Sequence, residues 1–272
     1  MEADLDSNYS IHHAIKGAQF VIHTASPYPI KRPDSEMDLI NPAVNGTRAV
    51  MEACHLYKVK KVVITSSIAA MMYAKTEEKP KDHIYTEKNW SDPSAGDHIE
   101  AYSKSKTMAE KLAWEFRDKL PEEEKFDVIT INPGFILGPA FVGAGFSSGE
   151  VIDKILNGKY PFLPKVRFGC VDVRDVAQAH LLAIQRPEAA NKRFILVERS
   201  FWMTELGEIL AKDFKQHSYS VVTKECPKWM ASIASVFLSE LAQTMKVWGV
   251  KTEFDNTQSR EVLGVTYPIP ME

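Results

Sequence analysis

The sequence predicts an α/β fold organised around a doubly wound parallel sheet, and three observations support this. Residues 62 to 65 are four consecutive β-branched residues, Val-Val-Ile-Thr, which is typical of a strand buried on both faces. Residues 127 to 131, Asp-Val-Ile-Thr-Ile, have the pattern of a second buried strand. A helical pattern from Tyr102 to about Leu120 separates the two, and strands that alternate with helices indicate a parallel sheet.

The composition is ordinary for a soluble globular protein. The chain has 272 residues, of which 44% are hydrophobic and 25% are charged. This length suits one large α/β domain, alone or with a small appendage. A net charge of −3 and an isoelectric point near 6.3 give no sign of the clustered basic surface that nucleic acid requires, so we expect no nucleic-acid partner.

The cysteines and the apolar segments bear on location. Cys54, Cys170 and Cys226 are odd in number and far apart, so we expect reduced thiols in a cytoplasmic protein rather than disulfides or a zinc site. The N-terminus lacks the pattern of a signal peptide. The longest uncharged apolar stretch, 229–239, is about half a membrane span. We expect an amphipathic helix packed on the domain there, and no membrane partner.

The N-terminal elements follow from periodicity. A helix is predicted over 9–16, a strand over 19–23, and a second helix from Pro42 to about Tyr57. Pro42 suits a first helical turn, where its missing N–H costs little. The proline-rich stretch 28–37 is predicted to be a loop over the mouth of the site. Residues at 4-3-4 spacing predict the buried face of the second helix: Ala43, Thr47, Val50 and Cys54.

Further along the chain, loops and short elements alternate. Residues 69–97 are polar and aperiodic, which predicts a long loop. The stretch 132–139 contains two prolines and two glycines, which argues against a sheet ladder. The Gly-x-Gly run in 143–149 is predicted to be a flexible substrate loop. A short helix is predicted over 151–156 and a further strand over 194–197.

Two polar clusters in the C-terminal half are interpreted as helix starts. Asp172 is predicted to cap a helix, with Asp175 in its first turn. This explains the cluster better than a metal site with His180, because the spacing matches no ligand pattern. Thr204 is predicted to cap a helix that ends at Phe214.

Tyr102 and Lys106 form the first candidate catalytic pair. They lie four residues apart on the predicted helix, so they project from the same face. A tyrosine holds its proton too tightly for catalysis near pH 7, because its ordinary pKa is about 10. One ammonium about 4 Å away, at an effective dielectric near 20, supplies the about 4 kcal/mol that lowers such a pKa to about 7. A solvated helix face explains the same spacing without chemistry.

Two serines complete the candidate catalytic set. Ser66 and Ser67 directly follow the buried strand. In open parallel sheets ligands bind beyond the carboxyl ends of the strands, so a serine here can reach a ligand. Because side chains alternate along a strand, we expect one of the two to face the substrate.

Several further segments occur in a recognisable order along the chain. They are VIHTASP at 21–27, NGT at 45–47, TSS at 65–67, YSKSK at 102–106, NPG and LGP within 132–139, DVRDVA at 172–177 and LG at 263–264. Together they resemble the extended branch of the short-chain dehydrogenase/reductase superfamily, the NAD-dependent epimerase/dehydratase family. Within that branch the chain resembles the group of dihydroflavonol 4-reductase, cinnamoyl-CoA reductase and methylglyoxal reductase.

The resemblance implies a Rossmann-like fold and a catalytic role for Ser67, Tyr102 and Lys106, with Ser67 favoured over Ser66. Tyr102 would give a proton to a carbonyl oxygen, and Ser67 would hydrogen-bond that oxygen. Lys106 would assist Tyr102 and bind the nicotinamide ribose. The cofactor implied is NADP, with NAD as the alternative, and no metal is implied. The cofactor-binding residues implied are Asp4 and Leu5 at the adenine, Ala25 and Ser26 near the pyrophosphate and ribose, Tyr102 and Lys106 at the nicotinamide ribose, and Pro133 and Ile136 beside the nicotinamide.

One feature of this family is missing. A dinucleotide-binding domain needs a glycine-rich turn after its first strand, and no such motif precedes residue 20. We therefore expect an N-terminally truncated sheet, from an incomplete gene model or a fragment, with the strand at 20–22 on an open edge. Residues 1–150 would form a partial dinucleotide-binding (Rossmann) domain. Residues 151–272 would complete the sheet and form a small C-terminal substrate-binding part.

The expected function is the reduction of an aldehyde or ketone to an alcohol by an NAD(P)H-dependent oxidoreductase with a small-molecule carbonyl substrate. Two alternatives stay open. One is a non-catalytic truncated remnant, which the lost pyrophosphate cradle would produce. The other is a sugar-nucleotide epimerase or dehydratase, which shares the serine, tyrosine and lysine. The sequence carries no signal for the oligomeric state.

Overall fold

The computed structural model describes residues 2–27, 35–73, 83–96, 99–141 and 147–268. Helices and strands alternate along most of the chain. The helices are α1 (Asn8–Ile15), α2 (Met37–Leu56), α3 (Ala101–Lys119), α4 (Ser147–Leu156), α5 (Val173–Gln185), α6 (Met203–Phe214), α7 (Lys228–Ala234) and α8 (Ser239–Lys246). The strands are β1 (Phe20–His23), β2 (Lys61–Thr65), β3 (Ile84–Tyr85), β4 (Asp127–Pro133), β5 (Phe135–Leu137), β6 (Arg167–Asp172), β7 (Arg193–Leu196), β8 (Arg199–Trp202) and β9 (Glu253–Phe254).

The central sheet is parallel, and its strands lie in the order β1, β2, β4, β7. The register places Val62 of β2 between Val21 of β1 and Val128 of β4. The predicted α/β fold with a parallel central sheet is confirmed. The strand β7 belongs to the C-terminal half of the chain, so both halves contribute to this sheet.

Helices cover both faces of the central sheet. Val62 and Ile64 of β2 belong to a buried cluster that includes Met51 of α2. Val63, which points to the opposite face, belongs to a second cluster that includes Val176 of α5. Because alternate residues of a strand pack against helices on opposite sides, the sheet is doubly wound, as predicted.

The strand β1 lies at one edge of the sheet. Among the residues that the structure describes, its ladder partner is β2 alone. Phe20 and Ile22 are 44% and 40% exposed there. Within the described ranges β1 is therefore an edge strand, as predicted for 20–22.

A second sheet contains β5, β6 and β8, and the expectation that 132–139 holds no ladder is wrong. The chain leaves the central sheet at Pro133 and enters the second sheet at Phe135, with only Gly134 between them. Gly134 lets the backbone pass close to Gly169 between the two sheets, because a Cβ at position 134 would lie 2.2 Å from the backbone oxygen of Gly169. Sequence patterns do not show such a contact between distant glycines.

The helix α2 begins at Met37, earlier than predicted, so Pro42 lies inside it rather than in its first turn. The early start buries Leu39 and Ile40, which are 5% and 4% exposed. Burying two such side chains contributes about 3–6 kcal/mol, which offsets the backbone hydrogen bond that the proline cannot donate. The buried face of this helix is as predicted: Ala43, Thr47, Val50 and Cys54.

The two predicted helix caps have different outcomes. Asp172 caps α5, since its carboxylate accepts from the backbone N–H of Arg174 at 2.8 Å. Thr204 does not cap α6, which begins one residue earlier. The Glu205 carboxylate instead accepts a hydrogen bond of 2.6 Å from the backbone N–H of Trp202. An acidic side chain in the first turn of the helix therefore pairs with the backbone N–H of the residue just before the helix.

The remaining predicted segments are partly regular. The stretch 69–97 includes β3, which pairs with β9, and it begins within a 3₁₀ turn over Ile68–Ala70. The last three residues of 143–149 begin α4, while 143–146 lie outside the described residues. Most of the proline-rich stretch predicted as a loop over the mouth, 28–34, lies outside them too.

The apolar stretch 229–239 is helical only in part: most of α7 lies in it, and its last residue begins α8. Its Trp229 and Ile233 are 67% and 60% exposed. The expectation that its apolar face packs on the domain is therefore wrong. Over the ranges described, no helix combines the length and apolarity that crossing a lipid bilayer would need.

Candidate active site

A cavity of about 740 Å³ opens beyond the carboxyl ends of β1, β2 and β4. Thr24, Thr65 and Pro133, which follow or end these three strands, line it. This is the position in which open parallel sheets bind their ligands. The cavity also gathers most of the sequence-predicted site residues: Ser26, Ser67, Tyr102, Lys106, Pro133 and Ile136.

Tyr102 and Lys106 meet in this cavity because helix α3 brings them to one face, one turn apart. The Nζ atom of Lys106 lies 6.0 Å from the centre of the Tyr102 ring. It also donates a hydrogen bond of 3.2 Å to the backbone oxygen of Thr65. The amino group is therefore tied to the end of β2 and cannot swing out to solvent without losing that bond.

Lys106 is 8% exposed, and its surroundings adjust its charge. Burial lowers its pKa from 10.5 to about 8, and the negative charge of Glu110 acts in the opposite direction. At pH 7 the ammonium form therefore predominates. A positive charge with little solvent around it acts strongly on its neighbours.

His23 at the end of β1 is a further titratable group near Lys106. It is 8% exposed, and burial together with the positive charge of Lys106 lowers its pKa to about 4. His23 is therefore neutral at pH 7. It therefore adds no second positive charge beside that of Lys106.

The two serines have different partners. The Ser66 hydroxyl donates to Oε2 of Glu110 at 2.5 Å, which points it into the protein. The Ser67 oxygen accepts from the backbone N–H of Ala69 at 3.1 Å and caps the short turn after it. Among the described residues, no acceptor takes the Ser67 hydroxyl hydrogen. That hydrogen can therefore be donated to a ligand in the cavity.

The sequence reasoning missed Glu110, which is 1% exposed and accepts hydrogen bonds from residues in or next to three strands of the central sheet. A signal for it was present, because Glu110 follows Lys106 by four residues and Tyr102 by eight, and so continues the same helix face. Charged residues are rarely buried, which is why hydrophobic patterns assign such a glutamate to solvent.

The remaining cofactor residues that the resemblance implied lie apart from the cavity. Leu5 packs against Gly46 and lines a separate cavity of about 230 Å³. The Asp4 carboxylate accepts from the backbone N–H of Asp6 at 3.0 Å, within the turn before α1. Ala25 does not line the main cavity, although the residues on both sides of it do.

Part of the cavity lining is apolar. Phe135 and Phe168, which both line the cavity, stack with their ring centres 5.4 Å apart. Met72 also lines the cavity. Arg167 is a further lining residue, but its guanidinium pairs with Glu253 at 2.6 Å, so the pair adds little net charge. These residues suit an uncharged, partly apolar ligand.

Comparison with known proteins identifies a family model and several relatives that match the chain. The model of the 3-beta hydroxysteroid dehydrogenase/isomerase family matches residues 1–221. The chain is 34% identical to the NADPH-dependent methylglyoxal reductase GRE2 of Saccharomyces cerevisiae over 212 residues, or 73% of the chain. It is 35% identical to cinnamoyl-CoA reductase 1 of Arabidopsis thaliana over 225 residues, or 82% of the chain. The chain spans 62% of the length of each of these curated relatives.

A solved structure agrees with this result. The crystal structure of yeast methylglyoxal/isovaleraldehyde reductase Gre2 complexed with NADPH matches with a TM-score of 0.77 at 28% identity, covering 98% of this chain and 78% of that one. The resemblance to the epimerase/dehydratase-type reductases is therefore confirmed. The chain belongs to the 3-beta hydroxysteroid dehydrogenase/isomerase family.

Proposed function

We propose that this protein reduces the carbonyl group of a small molecule to an alcohol, with NADPH as the hydride source. The observation that carries the proposal is the cavity at the strand ends in which Ser67, Tyr102 and Lys106 lie together. A hydroxyl donor, a phenol and an ammonium are the groups that can polarise a carbonyl, protonate its oxygen and stabilise the phenolate left behind.

Each of the three side chains has a role in the reduction of the carbonyl. Ser67 donates its hydroxyl hydrogen to the carbonyl oxygen and stabilises the negative charge that develops there. Tyr102 gives its phenolic proton to that oxygen as a hydride reaches the carbonyl carbon. Lys106 stabilises the phenolate through its positive charge. The carbonyl gains one hydride and one proton, which yields the alcohol.

The residues present fit a nicotinamide nucleotide, which supplies the hydride when it is bound. Lys106 donates one hydrogen bond to Thr65, and an ammonium has three N–H groups, so further donors are available for ribose hydroxyls. We assign Ser26 and Ala25 to the neighbouring ribose and phosphate. Pro133 and Ile136 would flank the nicotinamide, and Asp4 and Leu5 would contact the adenine.

The relatives support NADPH and reduction over the alternatives. The named relatives above are reductases, and one of them is NADPH-dependent. A structure in complex with UDP-glucuronic acid and NAD also matches, but at 19% identity it bears on the fold alone. We therefore favour a reductase over a sugar-nucleotide epimerase or dehydratase.

The free cysteine thiols support a location in a reducing compartment of the cell. Cys54 and Cys170 are buried free cysteines, and burial raises the pKa of each thiol to about 12, so both are chemically inert. Free thiols suit a reducing compartment. We propose a cytoplasmic location.

The experiment is a cofactor and turnover assay on the purified 272-residue chain. NADPH fluorescence is titrated first, and NADPH oxidation is then followed with methylglyoxal and with an aromatic aldehyde. The proposal predicts that the chain binds NADPH and forms one alcohol per NADPH oxidised, only when a carbonyl compound is present. A folded chain that fails to bind NADPH would support the non-catalytic remnant. Conversion of a sugar nucleotide without net NADPH oxidation would support the epimerase.

A further inference from the structure

Glu110 is a buried carboxylate at the centre of a hydrogen-bond network on the inner face of α3. Its Oε2 atom accepts from the Ser66 hydroxyl at 2.5 Å and from the Asn132 amide at 2.8 Å. Its Oε1 atom accepts from the Thr130 hydroxyl at 3.0 Å and from Arg193 Nε at 2.6 Å. These four donors, together with a longer contact of 3.5 Å from Trp114 Nε1 to Oε1, hold this side chain in one orientation.

Two of these donors lead to Ser67. Ser66 precedes it in the chain, and the Asn132 amide also donates to the Ser67 backbone oxygen at 3.2 Å. Glu110 therefore fixes this strand end twice, through the residue before Ser67 and through the amide bonded to Ser67. Because Ser66 is drawn inward, alternation along the strand directs Ser67 toward the cavity.

Glu110 also acts on Lys106, which precedes it by one helical turn. Its negative charge raises the pKa of Lys106 and so opposes the effect of burial. Arg193 pairs with Glu110 at 2.6 Å and weakens this influence without removing it. His23 faces Lys106 from β1 and is neutral at pH 7, and the Tyr102 ring lies 6.0 Å away on α3.

We propose that Glu110 is a positioning residue for carbonyl reduction, which orients Ser67 through Ser66 and Asn132 and holds a fixed negative charge beside Lys106. The proposal rests on the proposed function of the site. Glu110 does not line the cavity, so it acts through these neighbours and not on the substrate.

Three variants separate the two effects. Glu110→Gln keeps the shape of the side chain but removes its charge and one acceptor oxygen. Ser66→Ala removes one bond of the network and leaves the charge in place. Glu115→Gln removes a carboxylate from the same helix whose side chain is 65% exposed and which pairs with Lys119 at 3.7 Å, so it serves as the charge control.

The expected results differ between the variants. In Glu110→Gln, kcat falls roughly tenfold to a hundredfold, because a misplaced hydroxyl loses its alignment with the carbonyl. The KM for NADPH stays unchanged, and the pH above which activity falls moves downward by on the order of one unit. In Ser66→Ala, kcat falls by a smaller factor and the pH profile keeps its position. Glu115→Gln changes neither quantity.

A second readout does not need turnover. Nuclear magnetic resonance of labelled lysine side chains in the free chain follows the titration of Lys106 in the wild type and in Glu110→Gln. The proposal predicts a lower midpoint in the variant. If the wild type reduced no carbonyl, the proposed function would fail while this titration still tested the charge effect.

Clear results would overturn the proposal. A folded Glu110→Gln variant with wild-type kcat, pH profile and Lys106 midpoint would remove both roles. If Glu110→Gln does not fold, the milder Ser66→Ala variant decides the orienting role, and an unchanged kcat there would contradict it.

Discussion

The Nζ atom of Lys106 lies 6.0 Å from the centre of the Tyr102 ring, and helix periodicity alone brings the two residues to one face of α3. At about 6 Å and an effective dielectric near 20, an ammonium attracts a phenolate by about 3 kcal/mol. The hydrogen bond of Lys106 to Thr65 adds a tie to the central sheet. The Lys106 side chain therefore connects the end of a buried strand to the tyrosine that is proposed to transfer the proton.

Replacing Lys106 with methionine should stabilise the fold while abolishing carbonyl reduction. Burial lowers the pKa of Lys106 from 10.5 to about 8. Below pH 8 both the folded and the unfolded chain hold the proton, so the full cost of burying the charge applies. Urea denaturation at pH 7 should show a gain of about 1–3 kcal/mol in the free energy of unfolding for Lys106→Met.

The stability difference between Lys106→Met and the wild type depends on pH. Between about pH 8 and pH 10.5 folded Lys106 has lost its proton while the unfolded chain still binds one, so the stability of the wild type rises with pH. The gain in unfolding free energy of Lys106→Met over the wild type should therefore shrink between these two pH values. The exposed Lys119→Met variant is the control. A Lys106→Met chain less stable than the wild type at pH 7 would show that the burial cost is misjudged.

Acid should destabilise the fold through His23. Burial and the charge of Lys106 lower the pKa of His23 from 6.5 to about 4, so the unfolded chain binds a proton before the folded chain does. The stability contributed by neutral His23 is present above pH 6.5 and is lost as the pH falls toward 4, by up to about 3 kcal/mol. Thermal unfolding across this range should show a shallower acid slope for His23→Gln. The exposed His13→Gln variant is the control and should keep the acid slope of the wild type. If His23→Gln had the same acid slope as the wild type, His23 would not be the group that loses stability in acid.

Adding a methyl group at Gly134 should damage the crossing between the two sheets. The new Cβ would lie 2.2 Å from a backbone oxygen, which cannot move aside as a flexible side chain can. We expect Gly134→Ala to lose more than about 2 kcal/mol of unfolding free energy. Gly17→Ala is the matched comparison, because nothing lies within 4 Å of its new methyl and only its φ of +86° opposes it. Gly17→Ala should lose about 1 kcal/mol of unfolding free energy. If urea denaturation showed equal losses for Gly17→Ala and Gly134→Ala, the clash at Gly134 would be contradicted.

Where local chemistry decided the structure, sequence patterns predicted it. The β-branched run of β2, the face shared by Tyr102 and Lys106, and the Asp172 cap each depend on residues within one or two turns of one another. The parallel order of the central sheet followed from strands that alternate with helices. Ser67 was placed at a ligand site because it follows the carboxyl end of a buried strand, and the family resemblance implied its grouping with Tyr102 and Lys106.

Tertiary contacts decided the features that sequence patterns missed. Pro42 is a helix breaker by propensity, but burial of Leu39 and Ile40 extends α2 past it. The strand β5 follows two sheet-breaking residues and exists because Gly134 permits a close approach to Gly169. Glu110 is charged and buried, and the donors with the shortest hydrogen bonds to it come from residues far away in the sequence.

Tyr102→Phe tests the central claim most directly, because it removes one hydroxyl and keeps the ring. Turnover of methylglyoxal and binding of NADPH should be measured on the same folded sample. We predict that kcat for carbonyl reduction falls at least about a hundredfold while NADPH binding is unchanged. A variant that reduces the carbonyl at the wild-type rate would show that the proton comes from elsewhere.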